Sequence, residues 1–264
     1  MKKTDKMKNS IIYLLVFLGI QAAVSLAVTG IWTLATGSAE TTVPLLITTT
    51  VVFSVITVAV FLLARWAEVS PRWLRTRQWA VLLWSVVAAL GAVIPSTWLQ
   101  EQMPQLPNLV EAQMGQLLSS RWGYVVLALL APLAEEVVFR GAVLRSLLGW
   151  DGGRALRPWA AIALSALLFA VAHLNPAQMP HAFLIGLLLG WMYWRTGSIL
   201  PSMAYHWANN SAAYVAYAFY PSEDIRLADI FQGSQQHVLM AVGFSLLILL
   251  PAIYQLHLWM RRAG

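Results

Sequence analysis

The sequence predicts an all-α, polytopic membrane protein with about eight transmembrane helices and both termini on the cytoplasmic side. Three observations carry this. Of the 264 residues, 59% are apolar and only 11% charged, where a soluble domain has roughly 25% charged residues. The apolar residues fall into runs long enough to cross a bilayer, and the mean hydropathy is +0.67. Lys and Arg crowd onto alternate sides of those runs. A disordered chain, a coiled coil and an ordinary soluble domain are excluded. With no cysteine, so are a disulfide framework, a thiolate metal site and a cysteine nucleophile.

A bilayer core of about 30 Å needs about 20 apolar residues at 1.5 Å each. The runs are Ile11–Ala35, Val43–Ala64, Gln78–Trp98, Trp122–Leu148, Trp159–Leu174, Pro180–Trp194, Ser198–Tyr220 and His237–Met260. The first is too long for the apolar core of a signal peptide and reads as a retained helix. The fifth and sixth approach the lower length limit, so counts of seven or six stay open. Between the third and fourth, Leu99–Arg121 is the longest outer connection. Asn108 and Glu111 there have capping-box spacing, ahead of Val110, Met114, Leu117 and Leu118 on one face, which predicts an interfacial helix or an ordered loop. Gly186 and Gly190 form a small-xxx-small pair that lets a neighbouring helix approach closely.

With the N-terminus inside, 15 of the 17 Lys and Arg residues fall on the cytoplasmic side, and only Arg121 and Arg226 fall outside. This asymmetry is the positive-inside rule. The net charge of +6 is therefore a matter of topology, and no nucleic-acid partner is implied. Thirteen Trp suit the aromatic belts of a bilayer.

Ionisable residues inside such runs cost about 2.5–3.5 kcal/mol each when unpaired. The fourth run carries Glu135, Glu136 and Arg140. Glu136 and Arg140 are four apart with the acid leading, the favourable order for a helical ion pair. Glu135 points about 100° away and has no partner on its own helix. Pro132, one turn earlier, frees a backbone carbonyl and bends the helix. The fifth run holds His173 four residues after Phe169, and the seventh holds His206 and Asn210 on one face. Glu135 and His206 count to a similar depth, roughly 15 Å from the cytoplasmic ends, with His173 several ångströms deeper. His181, His237 and His257, near helix ends, read as interfacial or packing residues.

These residues match a known pattern. The chain resembles the CPBP intramembrane endopeptidases, the CAAX-processing and bacteriocin-processing group also known as the Abi family, whose pattern is EExxxR, FxxxH and HxxxN on successive helices. Here the three motifs are Glu135–Arg140, Phe169–His173 and His206–Asn210, in order, within about residues 120–220. The resemblance implies hydrolysis of membrane-associated protein or peptide substrates within the bilayer. By position, Glu135 acts with His173 to activate a water, while His206 and Asn210 donate hydrogen bonds to the oxyanion; Glu136, Arg140 and Phe169 support them. The residues themselves agree on one point: Glu135 is the carboxylate left free by the Glu136–Arg140 pair and suits general-base work.

No cofactor is expected. Zinc held by Glu135, His173 and His206 is the alternative, since two imidazoles and a carboxylate are a legitimate set, although no HExxH is present. The chain divides into residues 1–121 (three helices and the outer loop), 122–220 (the core with the motifs) and 221–264 (an outer loop and the last helix). A multi-pass protein of the cytoplasmic membrane is the expected setting. Two other readings compete. One is a catalytically idle immunity or regulatory protein that binds a peptide or lipid in the same polar cavity. The other is a proton-coupled transporter, which the lack of repeat symmetry disfavours. Asn175–Met179 and Leu99–Arg121 are candidate lids or simple connectors.

Overall fold

A computed structural model describes residues 6–68, 70, 72–75, 79–149, 156–222 and 225–260. Of the basic residues that set the predicted topology, Lys2, Lys3, Arg77, Arg154, Arg261 and Arg262 lie outside these ranges, as does Gln78 at the start of the third run.

All regular structure among the described residues is helical. In chain order the helices are α1 (Lys6–Thr36), α2 (Val43–Leu63), α3 (Trp79–Glu101), the short α4 (Glu111–Leu118) and α5 (Arg121–Leu147). There follow α6 (Pro158–Ala172), α7 (Met179–Thr196), α8 (Leu200–Phe219), the single-turn α9 (Leu227–Ile230) and α10 (Gln235–Trp259). Each of the eight predicted runs is a helix. Five of them, α1, α2, α3, α5 and α10, are long and apolar enough to cross a membrane. The other three fall short for identifiable reasons. α6 has only 15 residues, and α7 and α8 carry polar side chains such as His181, His206 and Asn210 that lower their hydropathy.

The outer helices turn large apolar side chains outward. Leu34 is 88% exposed, Leu63 83% and Leu247 70%, a surface no water-soluble monomer maintains. Trp79, Trp122 and Trp159, at the starts of α3, α5 and α6, are also exposed, as interfacial anchors are. Some hydroxyls within the spans are satisfied inside their own helices, as Thr49 donates to the Leu45 carbonyl at 2.8 Å and Ser85 to the Val81 carbonyl at 2.7 Å. Others reach a neighbouring helix, as Ser245 donates to the Gly91 carbonyl at 3.2 Å. The chain is a polytopic helical membrane protein.

α5 is the central helix. Half of its apolar window is buried, against 17–33% in the other four spans, and it packs against α1, α2, α6 and α8. Pro132 explains its irregularity. A proline in a helix interior clashes with the carbonyl four residues back, and α5 relieves this by widening into π-helix over Val125–Leu130; a second π-helical stretch follows over Val137–Leu144. The two glutamates sit on the α-helical turn between these stretches.

The α6–α7 hairpin packs tightly, as the glycine spacing predicts. A Cβ on Gly186 would lie 3.0 Å from that of Ala166 and 3.3 Å from the Phe169 ring, and one on Gly190 would lie 3.0 Å from Ile162. The predicted capping box does not form. α4 is present, but its N-cap is Val110 without a side-chain cap bond. Asn108 instead accepts from the Asn175 carboxamide at 2.9 Å, and the Leu109 N–H donates to the Asn175 side-chain oxygen at 2.9 Å. A buried asparagine at the hairpin tip outcompetes a local cap because it satisfies two groups of the outer loop at once.

Candidate active site

α5 and α8 run antiparallel and are joined by polar contacts. His206 Nε2 lies 3.6 Å from Glu135 Oε2. Asn210 donates to the Leu127 carbonyl at 2.9 Å. The hydroxyls of Ser211 and Tyr124 are 3.2 Å apart, and Tyr214 donates to the Ser120 carbonyl at 3.0 Å. Trp207 adds an indole N–H to the Tyr124 hydroxyl at 3.0 Å. With no water in a bilayer core, such groups satisfy one another across the helix pair.

At the inner end of this series the predicted ion pair is formed. Arg140 donates to Glu136 Oε1 at 3.0 Å, both side chains being buried. The same oxygen accepts from His206 Nδ1 at 3.1 Å. Glu136 is thus occupied by a guanidinium and an imidazole, while Glu135 keeps 20% of its side chain exposed. Of the two carboxylates, only Glu135 is open to a substrate.

Phe169, fully buried, is the hub beneath these groups. The Arg140 guanidinium carbon stands 4.6 Å above its ring. His173 and His206 meet the same ring edge-on, with centroids 4.8 and 6.0 Å away. His173, at the C-terminal cap of α6, has Nδ1 2.9 Å from the Phe169 carbonyl. A carbonyl only accepts, so Nδ1 carries the proton and Nε2 presents a lone pair. Leu174, the next residue, has φ 51°, which turns the chain sharply into the hairpin tip.

The structure therefore brings Glu135, Glu136, Arg140, Phe169 and His206 into one cluster, with His173 edge-on to the same phenyl ring as His206. Glu135 has His206 as its nearest imidazole; among the described residues no hydrogen bond or ion pair joins it to His173. Asn210 is one helical turn from His206, its carboxamide turned to α5. Among the described residues no three His, Cys, Asp or Glu side chains are grouped closely enough to hold a metal ion.

Two residues of the cluster do not belong to the motifs. His181, read from the sequence as an interfacial or packing residue, lies against the Asn209 carboxamide with His206 and His173 as electrostatic neighbours. Asn209 also donates to the side-chain oxygen of Asn210 at 3.2 Å. A signal for His181 was available: a short turn separates His173 from α7, so a hairpin brings both histidines to the same end.

Residues 117–212 match the family model described as type II CAAX prenyl endopeptidase Rce1-like. No curated protein and no solved structure matches the chain. The matched segment contains all three motifs and runs from the end of α4 into α8, the stretch that builds the polar cluster. Over this segment the chain is similar to the CPBP (Abi) family of intramembrane proteases.

Proposed function

We propose that the protein is an intramembrane endopeptidase of the cytoplasmic membrane that cleaves membrane-associated proteins or peptides, as in CAAX-type or bacteriocin-type processing, with Glu135 as the general base. The observation that carries this is the division of labour between the two glutamates: Arg140 and His206 hold Glu136, and Glu135 stays open beside His206. Eight membrane-embedded helices with both termini inside put the cluster within the bilayer. Residues 122–220 form the core that carries the chemistry, and the flanking segments wall it.

In this reading a water lies between Glu135 and the His173 lone pair. Its oxygen attacks the scissile carbonyl carbon as its proton passes to Glu135. The developing oxyanion accepts from His206 Nε2–H and from the N–H of Asn210 that is not given to Leu127. With Nδ1–H already given to Glu136, His206 serves this step as the imidazolium. Collapse breaks the C–N bond, and Glu135 returns the proton to the leaving amine. General-base assistance contributes about 10²–10⁴-fold and one oxyanion donor about 10²–10³-fold.

The test compares purified wild-type and Glu135→Gln protein on quenched peptides, prenylated and unprenylated, with and without chelator. Wild type is expected to cleave and Glu135→Gln to lose at least ~10²-fold with unchanged thermal stability. Cleavage should persist in chelator, since no step uses a metal. Retained biological function in Glu135→Gln cells would instead favour a binding role.

A further inference from the structure

We infer that Asn210 is a positioning residue for Glu135, because it supplies the hydrogen bond that Pro132 removes from α5. In the π-helical stretch each N–H pairs with the carbonyl five residues back, and the Ala131 N–H indeed reaches the Val126 carbonyl. The next rung would run from residue 132 to the Leu127 carbonyl. Residue 132 is proline and has no N–H. The Leu127 carbonyl is the group to which Asn210 Nδ2 donates, at 2.9 Å. The amide orientation is fixed by the partner, since a carbonyl accepts only from the NH2 side.

A backbone carbonyl in a bilayer core has no water to turn to. The proline and the asparagine thus form one device across two helices. Pro132 widens α5 and releases a carbonyl, and Asn210 uses that carbonyl to fix the sliding of α8 against α5. The adjoining contact in the series is His206 to Glu135, at 3.6 Å. If α8 slips at Asn210, the separation of Glu135 and His206 changes with it. Asn210 therefore gives one N–H to the scaffold and keeps the other for the reaction.

The kinetic part of this inference rests on the proteolytic reading; the stability part does not. The experiment is a double-mutant cycle between Asn210→Ala and Pro132→Ala in the full-length protein, with Tm in detergent and, on a cleavable peptide, kcat and KM. Asn210→Ala is expected to lower Tm by about 2–6 °C and to lower kcat with little change in KM. Adding Pro132→Ala restores the missing N–H, so most of the Tm and about tenfold in kcat should return, leaving the oxyanion deficit of about 10²–10³ in place. An unchanged Tm in Asn210→Ala, or a double variant that recovers neither Tm nor kcat, overturns the inference. Recovery of Tm without kcat overturns the positioning role, since Asn210 then serves kcat only at the reacting atoms. If Asn210→Ala does not accumulate, folded yield in membranes replaces Tm: rescue by Pro132→Ala supports the inference and failure to rescue overturns it. Absence of cleavage by wild type would count against the proteolytic reading alone, and the Tm cycle would still decide this one.

Discussion

Glu136 and Arg140 show how a charge is kept in a bilayer. Each has its counter-ion one helical turn away, and the carboxylate oxygen also serves His206, so neither charge is left isolated. Removing one partner of a buried pair costs about 3–5 kcal/mol, mostly through the charge left behind. Glu136→Gln is therefore expected to lower thermal stability strongly, whereas Glu135→Gln, whose side chain is partly open, should not. Thermal unfolding of the two variants in one detergent checks this. An equal loss in both would mean that the two carboxylates share the structural load. Either glutamate could be the spare one by motif alone; the helical phase that pairs Glu136 with Arg140 makes it Glu135.

Among the elements, the α6–α7 hairpin sets the register of Phe169 and His173 against α5. Its closeness depends on Gly186, whose carbonyl also lies 3.5 Å from an Arg140 nitrogen. Gly186→Leu would overpack the Ala166 and Phe169 contact at about 1–3 kcal/mol and push the phenyl hub, so activity should fall more than folded yield. Cleavage assays normalised to folded protein test this. The hairpin tip is tied to the outer loop by Asn175 and by the Gln100 amide, which donates to the Ala177 carbonyl at 2.9 Å. The two candidate lids are thus fastened to each other. Asn175→Ala should raise hydrogen exchange in residues 102–110 and 174–178 while leaving α5 protected. Unchanged exchange would show that the contact does not hold the loop. A further chain of edge-to-face rings, Phe53, Phe17, Phe139 and Phe169, links α2 and α1 to the site through centroid separations of 5.2, 5.4 and 5.1 Å. Aromatic pairs of this kind contribute about 0.5–1.5 kcal/mol each beyond burial.

For the whole molecule, alternating helices gather the basic ends on one side. Glu68, Arg72, Arg145 and Tyr193 line one cavity at the ends of α2, α5 and α7, where Glu68 and Arg145 are paired. Arg195 donates to the Met260 carbonyl at the end of α10. The opposite side holds Glu101, which accepts from the Leu227 N–H at 2.7 Å, and the Asn108–Asn175 contact. The absence of native cysteine makes the orientation directly measurable. Ser38→Cys and Gln105→Cys should label with a membrane-impermeant thiol reagent on intact cells, and Leu74→Cys only after lysis. The reverse pattern would invert the topology.

The sequence by itself determined the helical membrane class, the eight helix positions to within a few residues, the Glu136–Arg140 pair and the close glycine contact of α6 and α7. These follow from composition and from the fixed geometry of a single helix, which a linear pattern records. Only the tertiary structure decided that His206 bridges both glutamates, that His181 joins the cluster, that Asn108 pairs with Asn175 rather than capping α4, and that Asn210 donates to the Leu127 carbonyl. Pro132 announced a missing hydrogen bond but could not say which helix would supply the donor. Contacts between helices depend on rotation and sliding, and these are set by packing in three dimensions rather than by spacing along one chain.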